Sequence, residues 1–194
     1  FHGGSRALMS TAWESFPGQV AASRILSAPE PTEAEAVLQS SQVSHLAIPS
    51  WDAVIPLLVR EPQGDDKDTF HARLQRWLLP RYLRPVPYHL PRMPGFLDQQ
   101  LAVFKVVFPQ DEALSLSRLA EYFVEMDRPE PAALAASVLA QSFPEDPNAS
   151  ISRALVFAHL ERSADFEREV TQIASDVSSG RTVAAWDRRG ERAI

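Results

Sequence analysis

The stretch LAVFKVVFPQDEALSLSRLAEYF, residues 101–123, contains the change in hydrophobic pattern that decides the fold. Its first part, residues 101–108, is apolar except for one lysine and is rich in Val and Phe, which predicts a β-strand. In its second part the apolar side chains recur at helical spacing, as in Leu116, Ala120 and Phe123. We therefore expect a region with β-strands before this point and a helical region after it.

The helical region repeats itself after 34 residues. This offset superposes Ala120 on Ala154, Phe123 on Phe157, Met126 on Leu160, Ala136 on Val170 and Leu139 on Ile173. Thirty-four residues is the repeat length of tetratricopeptide hairpins, in which a small residue lets two helices approach each other. The match is partial, because the usual Trp is replaced by Leu116 and Ser150, and the usual Gly by Leu119 and Arg153.

Four helices are expected in this region. The first begins near Asp111 and is followed by a break at residues 128–131, and Pro144 ends the second. The third is expected at residues 148–161 and the fourth at residues 165–177. These four helices predict two consecutive tetratricopeptide-like hairpins.

The region before residue 110 has shorter patterns. Residues 17–26 have a weak helical stripe, and Thr32 with Glu35 forms a capping box at the start of a second helix. Residues 43–48 favour a strand that ends at Pro49. Ser50 or Asp52 is then expected to cap a helix over residues 53–60. A further amphipathic helix is predicted from Phe70 through Leu78, where Pro80 stops it.

Proline is unusually frequent, with 16 residues, and five of these lie between residues 79 and 95. Each proline lacks a backbone N–H and restrains the residue before it, so this stretch is expected to be neither helix nor central strand. The apolar residues between the prolines favour an extended connector that packs on a core. The expected fold is therefore α+β or α/β. A small sheet with flanking helices lies in residues 1–109, and a tetratricopeptide-like helical-hairpin domain with a C-terminal tail lies in residues 110–194.

The overall charge and composition exclude several functional classes. The net charge of −6 and the isoelectric point of about 5.4 argue against nucleic-acid binding, which requires a basic surface. The chain has no cysteine, and therefore no disulfide and no thiolate metal ligand. It has no apolar run of about 20 residues, so membrane contact is expected only through flanking segments. The chain also opens without Met, which is typical of a segment of a longer protein.

The sequence contains no pattern typical of a catalytic or metal site. The five histidines lack metal-ligand spacing. We therefore predict no cofactor, no metal and no catalytic residue. Six residues are candidates for binding instead: Trp13, Glu14, His45, Trp51, Asp52 and Tyr88. For Trp51 and Asp52 the simpler interpretation is a helix cap beside an indole that covers the core.

Three stretches support a resemblance to a known family. They are residues 13–22, beginning Trp-Glu-Ser-Phe-Pro-Gly; residues 35–52, which include Val-Ser-His-Leu-Ala-Ile-Pro-Ser-Trp-Asp; and residues 81–88, Arg-Tyr-Leu-Arg-Pro-Val-Pro-Tyr. Together they resemble the soluble extracytoplasmic C-terminal region of large bacterial multi-spanning membrane proteins, the C-type glycosyltransferases. The likeness covers about the first 110 residues. It implies a periplasmic accessory domain, since the catalytic acidic residues of that family lie in loops between membrane spans.

Three functions follow as hypotheses. The first is a non-catalytic interaction domain in the extracytoplasmic part of a bacterial envelope protein, with a protein or glycan partner. The second is an accessory domain that binds a sugar or a lipid-linked sugar. It requires Trp13, Glu14, Trp51, Asp52 and Tyr88 to converge on one cleft. The third is a small hydrolase that uses His45 and Asp52. A periplasmic location is expected in the first two cases, and a cytoplasmic location is the alternative.

Overall fold

The computed structural model describes residues 16–52, 54–59, 68–91, 94, 99–108 and 110–179. By its contacts the chain divides into two compact units. The first consists of Phe1–Leu83 with Leu90–Phe108, and the second of Arg84–His89 with Pro109–Ile194. The elements of the first part of the chain are α1 (Phe16–Ser27), α2 (Pro31–Ser40), β1 (His45–Pro49), α3 (Val54–Leu58), α4 (Phe70–Gln75), β2 (Leu83–Val86) and β3 (Leu101–Val106). They are followed by α5 (Glu112–Glu125), α6 (Pro129–Ser142), α7 (Pro147–His159) and α8 (Ser163–Ser178).

The three strands form one sheet in the order β1-β3-β2. β1 and β3 are antiparallel, with His45 opposite Lys105 and Pro49 opposite Leu101. The strand predicted from the most apolar run is confirmed as β3, and it occupies the centre of the sheet, where Phe104 is fully buried. The other predicted strand is confirmed as β1, although Pro49 is its last residue and not the residue after it.

The proline-rich stretch contains a strand that the sequence analysis did not predict. β2 includes Pro85 and lies at an edge of the sheet. A proline is tolerated at an edge because its missing N–H need not pair with a neighbouring strand. The prediction that residues 79–95 contain no helix and no central strand is confirmed for the described part of that stretch. The purely connecting role is wrong for β2.

Tyr82 anchors this stretch to the core of the first unit. Its hydroxyl donates a hydrogen bond of 2.6 Å to the Pro31 carbonyl at the start of α2. Its ring lies 6.4 Å from that of Phe70 and 5.6 Å from that of Phe108, centroid to centroid. Burial, with a smaller contribution from the negative charge of Glu35, raises the pKa of the Tyr82 hydroxyl. The phenol therefore stays neutral and acts as a donor.

Two predicted helix boundaries in the first unit are wrong. α2 begins at Pro31 with Glu30 as its N-cap residue, and no side chain caps it. The capping box fails because proline is favoured at the first helical position, which places Thr32 inside the first turn. α4 ends at Gln75, and Trp77 adopts a left-handed φ of 59°. This conformation turns the Trp77 ring toward the core, where its centroid lies 5.8 Å from that of Phe104.

The four helices of the second unit lie close to their predicted positions. The side chains of Asp111 and Asp146 accept hydrogen bonds from backbone amides in the first turns of α5 and α7, at 2.7 and 3.0 Å. Such N-caps satisfy amides that have no partner within the helix. The predicted break at residues 128–131 is shorter than expected, because α6 already begins at Pro129. α5 packs on α6, α7 packs on α8, and α7 also contacts both α5 and α6.

The chain thus has a mixed α and β fold with a small sheet, as the sequence predicts at this coarse level. Among the helices that the structure describes, none has both the length and the apolar content needed to cross a membrane.

Candidate functional site

His45 and Asp52 lie at different ends of the same strand. His45 is the first residue of β1, is exposed, and places its Nδ1 3.1 Å from the Ser44 hydroxyl. Asp52 follows the end of β1, which at five residues spans about 15 Å. A nucleophile–base pair requires hydrogen-bond distances of about 3 Å. The strand therefore separates the two residues that the hydrolase hypothesis needs together.

The polar residues after β1 serve the backbone. Ser50 donates its N–H to the Gln100 carbonyl at 2.9 Å, and its hydroxyl accepts from the Gln100 N–H at 3.0 Å. Ser50 therefore extends the pairing of β1 with the chain before β3, which corrects its expected role as a helix cap. The Asp52 carbonyl accepts a hydrogen bond of 3.3 Å from the Ile55 N–H, at the start of the short helix α3.

The remaining predicted binding residues are distributed over the chain. Trp51 is 46% exposed beside Asp52, in the turn between β1 and α3. Tyr88 is also exposed, and it belongs to the second compact unit. Trp13 and Glu14 lie outside the described residues. Of the six candidates, the structure places Trp51 and Asp52 side by side as consecutive residues.

Metal binding has no support in the described part of the chain. No three His, Asp or Glu side chains in those ranges form a group that could hold a metal ion. The binding candidates are therefore polar or aromatic surface residues, and the second unit must be considered beside them.

The helices of the second unit repeat in structure as they do in sequence. α5 ends at Glu125 and α7 at His159, and α6 begins at Pro129 and α8 at Ser163, each pair 34 residues apart. The residues that turn the chain between paired helices, Asp127 and Glu161, both have a left-handed φ, of 52° and 57°. A non-glycine residue in this region is uncommon. Its recurrence shows that the two turns share one backbone conformation.

The side chains around these turns repeat as well. The Arg128 N–H donates to the Phe123 carbonyl at 2.8 Å, and the Arg162 N–H donates to the Phe157 carbonyl at 2.9 Å. Each guanidinium also lies over the ring of its own phenylalanine, at 5.5 and 4.9 Å from the centroid. A cation over an aromatic face is attractive. Each helix pair is therefore closed by the same arginine–phenylalanine contact.

A buried ion pair joins α7 to α8. The Arg153 guanidinium donates to both carboxylate oxygens of Glu169, at 3.0 and 2.8 Å. It also lies near three further acceptors, the carbonyls of Phe143 and Pro144 at 3.3 Å and the Ser150 hydroxyl at 3.1 Å. This network was missed in the sequence analysis. The available signal was a charged residue next to Ala154 on a helix face that otherwise reads as buried.

A second polar contact joins α7 to α5. The Ser152 hydroxyl donates to Glu121 Oε1 at 2.7 Å, and both residues are buried. Hydrogen bonds to a charged group are stronger than neutral ones. Together with the Arg153 network, this contact sets the position of α7 against both of its polar neighbours.

The outward side of α7 is the exposed apolar surface in this repeat. Leu155 is 44% exposed, Ala158 is exposed, and Ile151 is partly exposed one turn earlier. These residues follow helical spacing and so lie on one face. His159 Nε2 at the end of this face lies 3.5 Å from the Asp127 carboxylate of the preceding turn. We refer to Ile151, Leu155, Ala158, His159 and Asp127 as the α7 surface.

Comparison of the chain with protein-family models, with curated proteins and with solved structures found no match.

Proposed function

We propose that this chain is a non-catalytic interaction domain in the extracytoplasmic part of a bacterial envelope protein. In this proposal α5–α8 are tetratricopeptide-like helix pairs, and the α7 surface binds a polypeptide partner. The observation that carries the proposal is the 34-residue repeat of helix ends, left-handed turns and arginine–phenylalanine contacts. Stacked helix pairs of this period characteristically serve as binding scaffolds.

The α7 surface has the chemistry expected of such a contact. Its centre is apolar, and Asp127 at its rim is 91% exposed in its side chain. An apolar centre with a polar rim is typical of protein interfaces. The buried networks of Arg153 and Ser152 hold α7 in place, which limits the entropy lost when a partner binds.

The bacterial envelope assignment is supported by the resemblance of residues 13–22, 35–52 and 81–88 to the extracytoplasmic region of C-type glycosyltransferases. The acidic net charge of −6 is compatible with a protein partner and unfavourable for an anionic membrane surface. A topology reporter fused after residue 179 of the full-length parent protein tests the location. Periplasmic reporter activity supports the assignment, and cytoplasmic activity contradicts it.

Partner binding is tested with a photo-crosslinking amino acid at position 155 in the full-length parent protein, in its native host. We expect a discrete crosslinked product that Ala158→Glu abolishes. The control places the crosslinker at Leu134 on α6, a position that is 67% exposed and outside the α7 surface. Equal products from positions 134 and 155, or none from 155, would contradict binding at the α7 surface.

A second candidate function rests on Trp51. An exposed indole beside the Asp52 carboxylate offers an apolar face and an acceptor, a combination suited to a sugar ring. This is the alternative of an accessory domain that binds a sugar or a lipid-linked sugar. Titration with soluble saccharides, followed by tryptophan fluorescence, tests it. A saturable change that disappears in Trp51→Ala supports the alternative, and persistence of that change in the variant rejects it.

A further inference from the structure

The last described helix has an apolar stripe on its outer side. Phe166, Val170 and Val177 of α8 are exposed, with Val170 at 42%, and Ile173 between them is partly exposed. These residues recur at i, i+4, i+7 and i+11, so they form one continuous face. Glu169 and Asp176, on the other side of α8, are buried. α8 thus leaves its more apolar side uncovered.

The repeat identifies what covers the equivalent side of α6. Subtracting 34 from residues 166, 170 and 173 gives Ala132, Ala136 and Leu139. These three side chains of α6 are fully buried, and α6 packs against the following helix, α7. The stripe on α8 is therefore the surface on which the next helix of the stack would lie. Its occupant should come from chain that follows α8 as α7 follows α6.

The sequence after α8 carries apolar residues at the required positions. Adding 34 to Pro147, the first residue of α7, gives position 181. The fully buried residues Ala149, Ser150 and Ser152 of α7 then correspond to positions 183, 184 and 186. The sequence has Val183, Ala184 and Trp186 there, within an otherwise charged stretch.

We propose that the chain's own segment of residues 181–186 covers the α8 stripe, with Trp186 as the anchoring side chain. Gly190 and the charged residues around it disfavour a longer helix like α7, so the contact is confined to about two turns. A segment joined directly to α8 has a high effective concentration at this surface, which favours it over a second molecule. The inference rests on the repeat geometry and is independent of the proposed function.

The absence of cysteine in the chain makes a direct test possible, since one introduced thiol is the only one to react. In the full chain carrying Val170→Cys we expect slow reaction with a maleimide. Adding Trp186→Ala should accelerate the reaction by about tenfold, because the cover loses its main apolar side chain. Leu134→Cys on α6 is the control and should react at the same rate with and without Trp186.

Each other result overturns the proposal. If Val170→Cys reacts as fast as Leu134→Cys while Trp186 is present, nothing covers the stripe. If protection of the thiol increases with protein concentration and sedimentation shows a dimer, a second copy is the occupant. If Trp186→Ala leaves a slow rate unchanged, another part of the chain covers the stripe. Val177→Cys is a second reporter in case Val170→Cys lowers the helix content measured by circular dichroism.

Discussion

At the scale of single residues, the stability of the helical unit depends on charges that lie inside it. Arg153 and Glu169 are both buried, and their mutual hydrogen bonds replace the water that each charge has in the unfolded chain. Removal of one partner leaves the other charge buried without its counter-ion. This loss costs far more than the pair itself contributes.

We expect Arg153→Met to lower the free energy of unfolding by about 3–5 kcal/mol, as measured by urea denaturation and circular dichroism. Arg168→Met is the matched control. Arg168 pairs with Asp165 on the surface of the same helix as Glu169, and loss of such a pair costs about 0.2–1 kcal/mol. The double variant Arg153→Met with Glu169→Met should recover much of the loss. Similar destabilisation by the Arg153 and Arg168 variants would show that the buried pair has no special role.

A second prediction concerns the Tyr82 hydroxyl. Tyr82→Phe keeps the ring contacts with Phe70 and Phe108 and removes only the hydrogen bond to Pro31. We expect a loss of about 0.5–1.5 kcal/mol in unfolding free energy. Tyr88→Phe, at an exposed position, is the control and should have no effect. Identical denaturation midpoints for the two variants would contradict a stabilising role for this bond.

Tyr82 also predicts a response to alkaline pH. Its pKa is raised in the folded state, so the neutral phenol is favoured by folding. This contribution is fully present below the unfolded-state value of about 10 and is lost as the pH rises above it. The wild-type protein should therefore lose stability above about pH 10 more steeply than Tyr82→Phe does. Parallel stability profiles for the two proteins would refute this prediction.

At the scale of elements, the close approach of the helices in the second unit depends on small residues at repeated positions. Ala120 is fully buried in α5, and Ala154 is buried at the equivalent position in α7. Both lie one turn before the phenylalanine that closes each helix pair. The interiors of proteins are close-packed, so a larger side chain has no space at either position.

We therefore expect Ala120→Trp and Ala154→Trp each to lower the unfolding free energy by about 1–3 kcal/mol or more. Ala158→Trp makes the same change at an exposed position of α7 and should leave it nearly unchanged. Thermal or chemical denaturation provides the measurement. An unaltered midpoint for Ala120→Trp would mean that this alanine does not set the distance between the helices.

At the scale of the whole molecule, the described residues offer surfaces for binding and no assembled pair of nucleophile and base. His45 and Asp52 are separated by β1, and His159 contacts the exposed Asp127 at the end of the α7 surface. We expect the purified chain to show no turnover of ester, phosphate or glycoside substrates. Turnover that is lost in His45→Ala would contradict a non-catalytic role.

Local sequence patterns predicted the elements whose side chains alternate or recur regularly. The apolar run at residues 101–108 became β3, and the 34-residue offset predicted the four helices α5–α8 to within a few residues. Such patterns succeed because an element buries one face of itself, and the spacing of that face is set along the chain. The candidate site was predicted less well, since Trp51 and Asp52 are adjacent in sequence and the α7 surface was not named.

The tertiary structure decided what depends on residues far apart in sequence. Pro85 occurs in a strand because β2 lies at an edge of the sheet, and Trp77 leaves the helical conformation to reach Phe104. Arg153 is buried because Glu169 and three further oxygen acceptors surround it. Burial and pairing are properties of a three-dimensional neighbourhood. The sequence by itself determined the periodicity of the elements, and packing alone determined which of their faces are covered.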